Sequence, residues 1–224
     1  MVSVMHPLRI ALIGQGKLGS SIIEAATAFP SITLFPLRAH QVRDHLSSLD
    51  LVLDVSIPSS FAQYEETLIK ASLGAVIGVT GYNAAQQKAL HEASTLVPLM
   101  LCPNFSYGIA VLQELLSHLP EHPYQLQDIH HKNKRDAPSG TAIQLSKALK
   151  GPVTITSQRT SDVVGTHTIE LPLEHETITI THTAHSRQLF ALGAIKACQF
   201  LYGKPKGLYT HYYEPHSNTA PLYR

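Results

Sequence analysis

The sequence predicts an α/β fold in which a doubly wound parallel sheet carries an inserted α+β domain. Between residues 8 and 104, short apolar segments alternate with helical ones, which is typical of a parallel sheet covered on both faces. After Asn104 the pattern changes, and Thr177–Thr183 alternates polar and apolar residues like a half-buried strand. A last helical segment returns at Arg187–Leu201. We therefore expect one domain from residues 1–104 plus 190–224 and a second from residues 105–189.

The elements of the first domain follow from apolar runs that end at glycine, proline or polar clusters. The predicted strands are Leu8–Ile13, Ile32–Leu37, Leu51–Val55, Ala75–Val79 and Pro98–Leu101. The predicted helices are Lys17–Ala28, the segment in which Phe61, Tyr64, Leu68 and Ala71 recur at helical spacing, and Ala84–Ser94.

The second domain is predicted to contain an antiparallel sheet. The expected strands are Gln125–His131, Val153–Arg159, Thr166–Leu173 and Thr177–Thr183, and the expected helices are Ile109–Leu119 and Thr141–Leu149. One face of such a sheet would be apolar and would attract a partner subunit.

A glycine-rich loop joins the first predicted strand to the first predicted helix. It reads Gly14-Gln15-Gly16-Lys17-Leu18-Gly19, the G-x-G-x-x-G spacing of a Rossmann-type dinucleotide site. Gly14 and Gly16 would let the backbone approach a pyrophosphate, and Gly19 would allow close packing of helix and strand. The alternative is an ordinary turn between a strand and a helix.

The residues after the second strand bear on which nicotinamide cofactor is used. No acid for the ribose hydroxyls lies between Leu34 and His40, whereas Arg38 is placed to meet a 2′-phosphate. We therefore expect NADPH to be used at least as well as NADH, unless Arg38 is simply a surface arginine.

Further loops at the ends of predicted strands are expected to line the cofactor, because ligands bind at the carboxyl ends of parallel strands. Asn104 could hydrogen-bond the nicotinamide carboxamide; each loop could also be a simple turn. The predicted cofactor residues in these loops are Gly78, Val79, Thr80, Pro103, Asn104, Phe105 and Ser106.

The segment from His130 to Thr141 gathers acid–base and anion-binding groups. His130 or His131 could donate a proton, since imidazole titrates near neutral pH, and Lys134 could bind a carboxylate or also give up a proton. Ser139 can cap a helix whose first backbone N–H groups, at Gly140 and Thr141, would hold a carboxylate. The alternative is a basic, solvated loop followed by a helix cap, which is the interpretation we favour for the neighbouring Lys132 and Arg135.

The composition excludes several classes of function. Charged residues are 15% of the chain and the formal net charge is +1, which argues against nucleic acid or an acidic membrane as a partner. Met1–Pro7 lacks the apolar run of a signal peptide, and Cys102 and Cys198 form no C-x-x-C pair, so a soluble, cytoplasmic protein is expected. Although the chain has 14 histidines, no ligand set is apparent, and we expect no metal.

Taken together, these motifs resemble those of the 4-hydroxy-tetrahydrodipicolinate reductase (dihydrodipicolinate reductase) family nearly end to end. The resemblance rests on the glycine loop and on the runs D-V-S-x-P, G-V-T-G, N-F-S-x-G, H-H-x-x-K-x-D-A-P-S-G-T-A and T-A-H-S-R-Q-L-F-A-L-G-A. It implies NAD(P)H-dependent reduction of a cyclic dicarboxylate in diaminopimelate and lysine biosynthesis, by a homotetramer built through the sheet of the second domain. The family usually has Glu where Asp128 stands.

The resemblance also implies roles for individual residues. His130 looks like the catalytic proton donor or acceptor, and Lys134 looks like a proton donor that also binds substrate. His131, Gly140 and Thr141 would bind the dicarboxylate. Two other functions stay open on the residues alone: another Rossmann-type nicotinamide oxidoreductase that acts on a small carboxylate, such as an amino-acid dehydrogenase, and a dinucleotide sensor without catalysis.

Overall fold

The computed structural model describes residues 6–160 and 163–212, which form two compact units. One unit ends at Pro103 and resumes at Ala194, and the other is Asn104–Gly193. Within the described residues, none of the helices is both long enough and apolar enough to cross a membrane.

In chain order the elements are β1 (Leu8–Ile13), α1 (Lys17–Ala26), β2 (Ile32–Leu37), a 3₁₀ helix (Ala39–Ser48), β3 (Leu51–Asp54), a 3₁₀ turn (Phe61–Gln63), α2 (Glu65–Ala71), β4 (Gly74–Ile77), α3 (Ala84–Ser94), β5 (Pro98–Leu101), α4 (Tyr107–Ser117), β6 (Tyr124–His131), α5 (Gly140–Ala148), β7 (Val153–Thr160), β8 (Gly165–Pro172), β9 (Thr177–Ala184), α6 (Gln188–Leu201) and β10 (Gly207–Tyr209).

The first unit contains a six-stranded parallel sheet in the order β10-β5-β4-β3-β1-β2. Its central strands are mainly apolar because both faces are covered, and Ile10, Val52 and Ile77 are fully buried. The predicted Rossmann-type fold is confirmed. Two elements were not foreseen: the 3₁₀ helix after β2, and β10, whose three residues add an edge strand beside β5.

The second unit contains a four-stranded mixed sheet in the order β7-β6-β8-β9. The expectation of an entirely antiparallel sheet is wrong, since β6 and β7 pair in parallel while the β6–β8 and β8–β9 pairs are antiparallel. The reason is α5: a helix between two strands carries the chain back to the starting end of the sheet, so the second strand runs in the same direction as the first.

The two faces of this mixed sheet differ in character. The inner face packs against α4 and α5 through a core that includes Leu112, Leu126, Leu145 and Ile169. The outer face presents mainly threonine and glutamine, including Gln125, Gln127, Thr154, Thr156, Thr166, Thr168, Thr179 and Thr181. The apolar face expected to attract a partner is therefore covered by the chain's own helices, and the face left over is polar.

Candidate functional site

Each unit contributes a group of residues that the sequence singled out. The glycine loop and Arg38 lie in the first unit, and the histidine–lysine segment lies in the second.

The three glycines of the loop differ in what surrounds them. Gly14 has a φ of 104°, and a Cβ there would lie 2.7 Å from the carbonyl carbon and oxygen of Val55 in the loop after β3. A Cβ on Gly19 would lie 1.9 Å from the carbonyl oxygen of Gly14. A Cβ on Gly16 would meet no heavy atom within 4 Å. Packing of the chain therefore requires Gly14 and Gly19, whereas Gly16 borders open space.

Gly16 is also the N-cap residue of α1. Its φ of −73° and ψ of −167° are extended, and no side chain caps the N–H groups of the first turn. Gln15, Gly16 and Lys17 are exposed, and Leu18 is half-buried. Backbone N–H groups left without partners at a helix N-terminus attract anions, so this end of α1 can hold a dinucleotide pyrophosphate.

Arg38 directly follows β2 and is exposed. Its backbone N–H donates to Oε1 of Gln41 at 2.8 Å. The first acid after β2, Asp44, lies on the 3₁₀ helix and its carboxylate is 3.6 Å from the guanidinium of Arg43. The carboxyl end of β2 thus offers a cation to a nucleotide.

A buried carboxylate joins the loops that follow β3 and β4. Asp54 is fully buried and accepts hydrogen bonds from Tyr64 Oη at 2.8 Å and from the backbone N–H and hydroxyl of Ser56. The net effect of burial, only partly offset by these hydrogen bonds, is to raise the pKa of Asp54. Its carbonyl accepts from the Gly78 N–H at 2.8 Å, and from there Val79 is buried and Thr80 exposed. Asp54, which begins the D-V-S-x-P run noted in the sequence, therefore links the loop after β3 to the expected cofactor loop at Gly78.

A second buried carboxylate, Asp128, is the centre of the candidate site in the other unit. It is fully buried on the inner face of β6, and its Oδ2 accepts from the Ser139 backbone N–H at 2.9 Å and from Ser157 Oγ at 3.1 Å. The Arg159 guanidinium lies 3.2 Å from the same oxygen. One carboxylate oxygen thus holds β7 and the start of α5 against β6.

The other oxygen of Asp128 faces two histidines. Oδ1 lies 3.0 Å from Nε2 of His130 and 3.3 Å from Nε2 of His167, although neither contact is aligned as a hydrogen bond. His130 Nδ1 faces the carbonyl oxygen of Val164 at 3.0 Å. Burial alone would raise the pKa of Asp128, but the contacts with His130, His167 and Ser139 outweigh it and hold that pKa well below its usual range.

Strand alternation places His130 and His131 on opposite faces of the sheet. His130 is 8% exposed and shares the inner face with Asp128, while His131 is half-buried on the outer face. Of the two imidazoles, His130 is the one joined to the buried cluster. The two imidazoles therefore leave the end of β6 on different faces of the sheet.

The segment after β6 carries the anion-binding groups. The ammonium of Lys134 lies 2.9 Å from Oδ1 of Asp136, and the Gly140 N–H donates to Oδ2 of the same carboxylate at 3.3 Å. Ser139 is 1% exposed, and its hydroxyl caps α5 by accepting from the Ala142 N–H at 3.1 Å. Gly140 is exposed, and a Cβ there would meet nothing within 4 Å. Ser139 therefore holds the turn in place, and the open surface lies at Gly140.

One of the expected cofactor residues contacts this segment within the same unit. The side-chain amide of Asn104 donates to Oγ1 of Thr141 at 3.0 Å, and its Oδ1 accepts from the Ser106 N–H at 2.9 Å. Phe105 and Ser106 are buried, and the Ser106 hydroxyl caps α4 by accepting from the Ile109 N–H. A residue expected to meet the nicotinamide thus touches a residue expected to meet the substrate.

Asp128, His130 and His167 are also close enough to share a metal ion. Asp128, however, is already balanced by the Arg159 guanidinium. A divalent cation would bring two further positive charges into a buried cluster whose single carboxylate charge is taken, which is costly in a medium of low dielectric constant. The cluster fits an acid–base network better than a metal site.

Sequence reasoning did not identify Asp128 and Arg159 as site residues. Asp128 and His130 share a face because they are two positions apart, and this signal is present in the sequence. His167 and Arg159 join them through the pairs Asp128–His167 and His130–Arg159. Those pairs depend on strand order and register, which the sequence alone did not provide.

Comparison with known proteins gives a consistent result across the described chain. The family model for the N-terminus of dihydrodipicolinate reductase matches residues 8–105, and the model for its C-terminus matches residues 108–212. A 4-hydroxy-tetrahydrodipicolinate reductase of Thermosipho africanus is 33% identical over 208 residues, covering 91% of this chain and 95% of that protein. One of Granulibacter bethesdensis is 28% identical over 253 residues, covering 93% and 97%.

Solved structures support the same fold. A dipicolinate-bound dihydrodipicolinate reductase from Paenisporosarcina sp. TG-14 superposes with a TM-score of 0.77 at 18% identity, covering 92% of this chain and 98% of that one. A diaminopimelate dehydrogenase of C. glutamicum superposes with a TM-score of 0.52 at 12% identity, covering 92% and 93%. At these identities the likeness concerns the fold.

Proposed function

The chain belongs to the dihydrodipicolinate reductase family and is an NAD(P)H-dependent oxidoreductase, and from this premise we propose that it reduces 4-hydroxy-tetrahydrodipicolinate to tetrahydrodipicolinate in diaminopimelate and lysine biosynthesis. The observation that carries the assignment of its substrate site is the convergence of the Lys134 ammonium and the Gly140 N–H on one carboxylate. Those are the groups that a dicarboxylate substrate requires.

The reaction places two demands on the protein. The substrate loses its 4-hydroxyl as water, and the resulting conjugated imine accepts a hydride at C4, which leaves an electron pair that must take a proton at C3. The bound nicotinamide supplies the hydride. The protein must hold the two carboxylates and deliver the proton, and neutralising the carboxylates makes the ring a better hydride acceptor.

We assign the binding of one carboxylate to Lys134 and to the backbone N–H groups of Gly140 and Thr141, with His131 as a further substrate contact. Lys134 and His130 share the supply of the proton. His130 contacts Asp128, which is paired with Arg159, and the Lys134 ammonium forms an ion pair with Asp136 near the surface. Ser139 supports the substrate groups through its cap on α5.

The first unit would hold the dinucleotide. The open space beside Gly16 fits a pyrophosphate, since a Cβ there would meet nothing within 4 Å. Arg38 favours NADPH through the 2′-phosphate, and we propose that NADPH is used at least as well as NADH. In this unit the loop at Gly78, Val79 and Thr80 and the residue Pro103 would line the remainder of the cofactor. Asn104, Phe105 and Ser106, which begin the second unit, stay predicted cofactor contacts.

We also propose that the enzyme is a cytoplasmic homotetramer assembled through the sheet of the second unit. The outer face of that sheet is rich in threonine, and it carries no covering helix in the described residues. Cys102 and Cys198 are buried thiols, which is compatible with a reducing compartment.

The deciding experiment follows NADPH oxidation in the presence of enzymatically generated 4-hydroxy-tetrahydrodipicolinate. We expect turnover by the wild-type protein and a loss of kcat of about 10²–10⁴-fold in both His130→Gln and Lys134→Ala, because each removes a proton-transfer group. Lys132→Ala is the matched control, and NADPH binding should be unchanged in all three variants. NADPH binding without turnover by the wild type would instead indicate a dinucleotide sensor.

The same assay separates this function from that of an amino-acid dehydrogenase. Oxidation of an amino acid with NADP⁺, in place of reduction of the cyclic dicarboxylate, would favour the second enzyme class. Dipicolinate, which the Paenisporosarcina enzyme binds, is a suitable inert probe, and we expect it to bind the wild-type chain and to bind Lys134→Ala more weakly.

A further inference from the structure

The two anion-binding groups assigned to the substrate are already occupied by a carboxylate of the chain itself. Asp136 places one oxygen 2.9 Å from the Lys134 ammonium and the other 3.3 Å from the Gly140 nitrogen, so it bridges both groups. This is the bidentate arrangement that a substrate carboxylate would adopt at the same place.

The backbone of Asp136 is held independently of its side chain. The Arg159 guanidinium donates to the Asp136 carbonyl at 2.5 Å, and the same guanidinium is bound to Asp128. The Asp136 side chain, by contrast, is 54% exposed. Rotation about its side-chain bonds would therefore take the carboxylate into water without moving the loop that carries it.

The space next to this carboxylate is open to a ligand. A Cβ on Gly140 would meet no heavy atom within 4 Å, and Lys134 keeps 23% of its side chain exposed. The Asp136 carboxylate stays ionised near neutral pH. Burial raises its pKa, but the Lys134 ammonium and backbone N–H groups lower that pKa by a larger amount, so the net shift is downward. An incoming carboxylate must therefore displace the Asp136 carboxylate, which already occupies this site.

We propose that the Asp136 carboxylate occupies the substrate-carboxylate subsite, must be displaced when substrate binds and thereby lowers the affinity of the site for carboxylate ligands. This inference rests on the proposed function of Lys134 and Gly140. A ligand with a single carboxylate gains little by the exchange, because it replaces one ion pair with another. A dicarboxylate has a second anchor and can drive the exchange. The cost of displacing Asp136 is the same for both kinds of ligand, so Asp136 lowers both affinities by the same factor.

Binding of dipicolinate and of acetate to Asp136→Asn and Asp136→Ala tests the idea by calorimetry. We expect dipicolinate to bind both variants ~3- to 10-fold more tightly than wild type, because an exposed ion pair and one hydrogen bond no longer compete with the ligand. Acetate should gain by about the same factor, because both ligands displace the same ion pair. The control is Glu66→Gln, which removes an exposed carboxylate paired with Lys70 on α2 and should change neither affinity.

The opposite outcome has a clear meaning. If Asp136 instead orients Lys134 for the substrate, both variants will bind dipicolinate more weakly than wild type, and the inference is overturned; unchanged affinity overturns it as well. Failure of the proposed function is a separate result, since it would appear as absence of NADPH oxidation by the wild-type protein. Circular dichroism and a thermal melt of each variant check that the loop change leaves the fold intact.

Discussion

At the scale of single residues, the glycines of the loop differ in whether the packing of the chain requires them. A Cβ on Gly19 would overlap the Gly14 carbonyl at 1.9 Å, whereas a Cβ on Gly16 would enter open space. We expect Gly16→Ala to fold with a loss of no more than about 1 kcal/mol, the cost of alanine at an N-cap. NADPH binding should weaken at least tenfold, because the methyl group would reduce the binding free energy of the pyrophosphate by ~1.4 kcal/mol or more.

Gly19→Ala is the matched comparison, because it adds the same methyl group three residues later. We expect it to lower the melting temperature sharply, since backbone must move to admit the Cβ. Thermal melts and fluorescence titration with NADPH measure both variants. Equal NADPH affinity of Gly16→Ala and wild type would show that the pyrophosphate does not bind at this loop.

Arg38 carries the prediction on cofactor choice. Removing its guanidinium in Arg38→Ala should raise KM for NADPH by about 10- to 100-fold, the usual worth of a hydrogen-bonded charge, while KM for NADH changes less than about twofold. Arg43→Ala is the control, because Arg43 is a nearby exposed arginine whose partner is Asp44. An equal loss for both cofactors would mean that Arg38 does not read the 2′-phosphate.

Asp128 gives a prediction on pH and stability. Its folded-state pKa lies below the unfolded value of about 3.9, so its contribution to stability is present above that value and is lost as the pH falls toward the folded pKa. Asp128→Asn leaves the Arg159 charge without its partner, and at pH 7 we expect a loss of about 2–4 kcal/mol in the free energy of unfolding.

The difference in unfolding free energy between wild type and Asp128→Asn should shrink as the pH is lowered from 5 to 3. In that range Asp128 takes up a proton in the unfolded state and stays ionised in the folded state, which lowers the stability of the wild type. Urea unfolding at several pH values measures it. Parallel stability curves for the two proteins would show that Asp128 is not the residue that titrates.

At the scale of elements, the N-cap of α5 links local structure to activity. The Ser139 hydroxyl accepts from the Ala142 N–H, and Asn83 caps α3 in the same way by accepting from the Gln86 N–H at 2.9 Å. Ser139→Ala and Asn83→Ala should each cost about 1 kcal/mol of stability.

Only the first of these variants should affect catalysis. Loss of the α5 cap loosens Gly140 and Thr141, and we expect kcat/KM to fall about 10- to 100-fold, as displaced binding groups usually cause. Chemical denaturation and steady-state kinetics measure the two effects. Equal activity of both variants would mean that the turn keeps its shape without the Ser139 hydroxyl.

The elements also show what the sequence could reveal. Apolar runs bounded by turns identified β1, β2 and β5 to the residue, because periodicity and breakers are local signals. The three-residue β10 carries too short a pattern to detect, and its pairing with β5 is set by tertiary context. The parallel pairing of β6 with β7 was also missed, although the helix predicted between them implies it.

The candidate site follows the same division. Lys134, Gly140 and Thr141 are close in sequence, so a local motif was enough to group them. Asp128, Arg159 and His167 come together across three strands, which requires knowledge of register. The ion pair between Lys134 and Asp136 depends on side-chain conformation within a loop, and no periodicity in the sequence encodes it.

At the scale of the whole molecule, assembly should depend on the outer face of the mixed sheet. Thr168 and Thr181 lie opposite each other there, with their hydroxyls 3.1 Å apart, and neither belongs to the core beneath α4 and α5. If this face meets its copy in a homotetramer, a charge placed on it is buried against like charges, at a cost of several kcal/mol per contact.

Thr168→Arg should therefore shift the protein from tetramer to smaller species, while the fold of each subunit persists because the side chain points away from the core. Sedimentation velocity over a hundredfold range of concentration measures the change, and circular dichroism measures the fold. Thr95→Arg is the control, since Thr95 is an exposed threonine at the end of α3 in the other unit. A Thr168→Arg protein that remains tetrameric at every concentration would place the contact between subunits on another surface, and a monomeric wild type would refute the assembly itself.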